Sequence, residues 1–192
     1  MVFWLSLGIF IFGASVQVIN YFFWKKNLKV FTKILFLGAI GFVLIYFFYL
    51  VYAQYLVWRD SDNFTKFLVP PYKNITYVIG YHFMRFALYY AISLVMALIF
   101  LWATKYYNKK FVGKFFEPEE PYLGALSIFL LGNREWNYGW ILYLVLLLVF
   151  SAVGSAIFCN WLKKMERFPL YWLWLPTAIL AIIVMRYLGS NL

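Results

Sequence analysis

Ile34 to Trp58 is one unbroken stretch without a charged residue, and it constrains the fold more than any other feature of the chain. A helix rises about 1.5 Å per residue, so about 20 apolar residues cross the hydrocarbon core of a bilayer. Apolar windows recur at roughly 2–23, 33–58, 77–103, 121–132, 140–161 and 170–188. The expected fold is therefore all-α: a polytopic membrane domain over residues 1–192 with six transmembrane helices, the fourth short. Composition points the same way. Charged residues make up 12% of the chain, against about a quarter in soluble domains, too few to cover a water-facing surface.

The tryptophans test these limits independently, because indole prefers the membrane interface. Trp4 and Trp24 bracket the first window, Trp58 closes the second and Trp102 the third. Trp140 and Trp161 bracket the fifth, and Trp172 and Trp174 open the sixth. The first window has no basic leader and is expected to be a retained helix, not a cleaved signal.

Loop charge predicts orientation. Segments 24–33, 104–120 and 162–168 hold four, four and three Lys or Arg residues. With six crossings all three fall on one side, the cytoplasmic one, leaving both termini outside. The net charge of +10 then reads as topology signal and contact with anionic lipids at the cytoplasmic face. No basic domain exists to carry nucleic acid. The expected address is a plasma membrane of prokaryotic type, with other membrane proteins as the candidate partners.

The stretch "EPEEPYLGALSIFLLGN", residues 117–133, departs from the pattern by placing Glu117, Glu119 and Glu120 directly before a short apolar run. Pro121 suits the first turn of a helix, where its missing N–H is not needed. Acids just before it face the positive end of the helix dipole. A helix from Pro121 to about Trp136 is expected, tilted or crossing a locally thinned bilayer. The three carboxyls are also the candidate catalytic residues, at headgroup level, although paired acid–base work needs a second acid in a different environment.

His82 and Arg85 share a helical face and are the only ionisable groups between Tyr77 and Trp102 apart from tyrosines. An intramembrane ionisable group is a candidate ligand site, and Arg85 is also within reach of headgroups along its apolar stem. In "SAVGSAIF", Ser151, Ala152, Gly154, Ser155 and Ala156 supply the small residues that let helices approach closely, and Gly38 and Gly41 are candidates for the same role. One Cys and one His exclude a zinc site; Cys159 reads as a packing residue. No cofactor motif is present.

From Glu117 onward the chain resembles the prepilin-peptidase-type aspartyl membrane proteases. Their G-x-G-D motif opens the fourth of six helices at the cytoplasmic face. Laid on it, Glu120 takes the place of the aspartate and Gly132 that of a later glycine, while "SAVGSA" and "RFPLYWLWLPTAIL" resemble the helices that follow. Glu117 and Glu119 stand where the motif has glycines. The other catalytic aspartate, expected near the end of the first helix, has no counterpart in "NYFFWKKNLK". The resemblance thus implies a degenerate peptidase-like fold without proteolysis. Three functions follow: a non-catalytic scaffold or assembly protein; a small transporter or channel subunit binding an anionic solute near His82 and Arg85; and a lipid-modifying enzyme using Glu117, Glu119 and Glu120.

Overall fold

The computed structural model of the chain describes residues 2–24, 28–61, 63–111, 116–136, 138–157 and 170–189. Among these residues the regular structure is all helical, with no strand. Helix α1 (Val2–Ile19) runs into a wider π turn, Asn20–Trp24. Helix α2 spans Lys29–Arg59. Helix α3 spans Thr76–Lys110 and contains a second π turn, Phe83–Ala87, where the Leu88 N–H bonds the Phe83 carbonyl. Then come α4 (Glu120–Leu130), α5 (Gly139–Ser155) and α6 (Trp174–Gly189).

Helices α2 and α3 outrun their apolar windows because flanking Lys and Arg do not stop a helix. Their long stems follow the helix wall while the charge stays in a polar layer. Among the described residues, four segments are long and apolar enough to cross a membrane: Trp4–Phe23, Lys29–Arg59, Thr76–Lys110 and Leu170–Tyr187. Helix α5, with 17 residues, is shorter, and its flank at 158–169, which includes Cys159, lies outside the described residues.

Side-chain pairs fix the directions. Arg186 lies over the Trp4 ring at 5.5 Å, and Tyr21 meets Trp172 at 5.0 Å, so α1 and α6 are antiparallel. Tyr46 with Phe86 and Trp58 with Tyr81 do the same for α2 and α3. Helix α3 meets α4 through Lys105 with Tyr122 and Ser93 with Phe129, again antiparallel. The molecule thus has an acid end, with Gln17, Lys105 and Glu120, and a hairpin end, with Trp4, Arg186 and the α2–α3 connection. Lys29, Lys33, Lys105, Lys109 and Lys110 all belong to helix termini at the acid end.

The expected fourth helix differs from the structure in a telling way. It ends at Leu130 instead of continuing to Trp136, and a separate 3-10 turn takes up Arg134–Trp136. All eleven of its residues are buried, as are Leu131, Gly132 and Asn133 after it. At about 16 Å it covers roughly half the hydrocarbon thickness. The remaining backbone need not be helical, because irregular backbone at membrane depth is tolerated when protein encloses it.

The core gathers around α4. Phe36 of α2 and Tyr90 of α3 pack on Phe129 at 6.3 and 5.6 Å, while Trp174 and Leu175 of α6 are fully enclosed with it. Phe10 of α1 and Tyr143 of α5 complete the cluster. A second, smaller cluster of Phe47, Val51, Trp58, Val69 and Val78 closes the hairpin end. Outward-facing residues are large and apolar (Ile45 is 70% exposed and Phe48 63%), a surface suited to lipid contact.

Apolar helices gain little from mutual burial when lipid is the alternative, so close packing and hydrogen bonds hold them together. Two glycines of this segment make that packing possible. A Cβ on Gly124 would lie 2.8 Å from Trp174 Cζ3 and against the Phe100 ring, and one on Gly132 would collide with Ser93. Nothing lies within 4 Å of the corresponding positions on Gly38 and Gly41. In the "SAVGSA" stretch Gly154 is buried and Ser151 half-buried, while Ala152, Ser155 and Ala156 are exposed.

Candidate functional site

Proline placement and a polar turn assemble the acid end. Pro121 lies in the first turn of α4, where its ring cannot continue the helix backward. The chain before it folds into a turn in which the Glu120 N–H donates to the Glu117 carbonyl at 3.2 Å. In return the Glu117 N–H donates to Glu120 Oε2 at 2.9 Å. This reciprocal pair works as a capping box does, satisfying donors at a helix start with a carboxylate that also faces the helix dipole.

Other elements brace the turn. From the end of α3, Asn108 Nδ2 donates to the Phe116 carbonyl at 2.8 Å, and the Phe116 N–H donates back to Asn108 Oδ1 at 3.2 Å. Lys105 Nζ donates to the Tyr122 hydroxyl at 2.9 Å. Gln17 of α1, itself buried, donates from Nε2 to the Tyr171 carbonyl at 2.6 Å, and Tyr171 is within electrostatic reach of all three carboxyls. Residues of α1, α3, α4 and the turn before α6 therefore meet here.

The three acids are not equivalent. Glu117 is exposed, Glu119 half-buried and Glu120 only 2% exposed. Burial, then the charge of Glu117, pushes the Glu119 carboxyl up from its ordinary range, partly offset by a backbone hydrogen bond. The polar residues that α1 buries near this end are Gln17 and Asn20, amides that do not ionise. The buried carboxyl of Glu120 therefore has no acid from α1 with which to share a proton.

A raised Glu119 gives a signed pH effect. The folded chain holds that proton more tightly than the unfolded chain, so this group's contribution to stability is full below its unfolded pKa. It is lost as pH rises through the folded pKa. The shift acts on a half-exposed group, so the effect is small. Melting of purified Glu119→Gln should show a weaker decline between mildly acidic and neutral pH than the native chain. An unchanged decline would assign the effect elsewhere.

His82 and Arg85 lie toward the hairpin end, far along α3 from the acids. Tyr81 packs edge-on against the His82 ring at 5.3 Å, and His82 Nε2 is buried without a hydrogen-bond partner. Arg85 is exposed, with its guanidinium 4.4 Å from the Tyr81 ring centre. One group thus has its ring nitrogen enclosed while the other is exposed, and the Arg85 charge lies within electrostatic reach of the imidazole. Among the described residues no three His, Cys, Asp or Glu side chains group as a metal site. The residues that reading the sequence missed are Gln17, Asn108, Tyr171 and Ser93, which lie far from their partners along the chain and carry no local signature.

Comparison with protein-family models, with curated proteins and with solved structures finds no match to this chain.

Proposed function

We propose that this chain is a non-catalytic helical membrane protein that assembles or scaffolds other membrane proteins. Six segments cross the bilayer, with the acid end cytoplasmic and both termini outside. One observation carries the reading: Glu120, the one acid buried among the described residues, turns its carboxylate back onto the Glu117 N–H. Gln17, Asn108 and Lys105 are likewise committed to joining helices. Side chains used in this way act as braces, and the enclosed α4 acts as a strut. A distant, peptidase-like ancestry that has lost its acids agrees with this reading, since an amide-lined end of α1 cannot complete a carboxylate pair.

The orientation draws support from the gathering of Lys29, Lys33, Lys105, Lys109 and Lys110 at the acid end. The test is assembly. The native chain extracted in mild detergent should migrate with membrane-protein partners, and Glu120→Gln and His82→Ala should do so equally. A native chain that migrates alone, or turnover of a peptide or lipid abolished by Glu120→Gln, would contradict the proposal.

A further inference from the structure

We draw no further inference here: the strongest candidate, the apolar groove between α2 and α3 lined by Ile40, Leu44, Phe48, Phe83, Ala87 and Ala91, carries nothing because nothing in the structure shows what covers it.

Discussion

Gly132→Ala should destabilise the folded chain by about 1–3 kcal/mol or more, the range for overpacking a well-filled interior. The added methyl group meets Ser93, including its Cβ, which is fixed to the α3 backbone and cannot rotate away. Helices α3 and α4 must then separate, and the Ser93 hydroxyl loses its 3.1 Å contact with the Phe129 carbonyl. Ser93→Gly on the Gly132→Ala background should restore part of the loss, because the two residues touch and their effects are not additive. Gly38→Ala, with open space around it, is the control and should change little. Denaturation of the four proteins in one detergent decides the matter. Equal effects at Gly132 and Gly38 would mean that α4 does not pack against α3 as described.

Substitutions at Glu120 should separate by hydrogen bonding, not by charge alone. Glu120→Gln keeps an oxygen to accept the Glu117 N–H and should be mild. Glu120→Leu leaves that donor without its partner at the start of a buried helix, a cost of about 1–3 kcal/mol. Glu120→Lys loses the acceptor and places a cation at the positive end of the helix dipole in a site only 2% exposed, and should cost more than Leu, about 3–5 kcal/mol. The order Gln, Leu, Lys in a melting series supports a bracing role. If Gln were as damaging as Lys, the ionised carboxylate itself would be required.

Much of the fold could be read directly. Long uncharged runs locate α1, α2, α3 and α6 because the bilayer imposes one length on all of them. The start of α4 was legible for a local reason: Pro121 and the acids before it belong to a helix N-terminus. Its enclosure was not legible, since "YLGALSIFLLG" carries no polar face and hydropathy does not distinguish lipid from protein as a neighbour. The importance of Gly124 and Gly132 was hidden for a related reason. A glycine permits close approach, but only the partner, here Phe100, Trp174 or Ser93, uses it. "SAVGSA" makes the same point in reverse, because Ala152, Ser155 and Ala156 remain exposed on this chain. At the candidate site the acids were visible as a cluster. Their different roles were not, because the residues that brace the turn, Gln17, Asn108 and Tyr171, arrive from distant parts of the chain. The π turn at Phe83–Ala87 has no residue signature that sets it apart from the helix on either side.

The account turns on α4 joining the acid end to the hairpin end through the interior of the bundle. With Cys159 replaced by Ser, single cysteines in place of Glu117 and Glu135, both exposed, can be challenged in sealed vesicles with a maleimide that does not cross membranes. The predicted result is that the two positions react from opposite faces, while cysteines at Leu126 and Ile128 react from neither. Reaction of both flanking positions from the same face would show that the segment enters and returns, and would contradict the account.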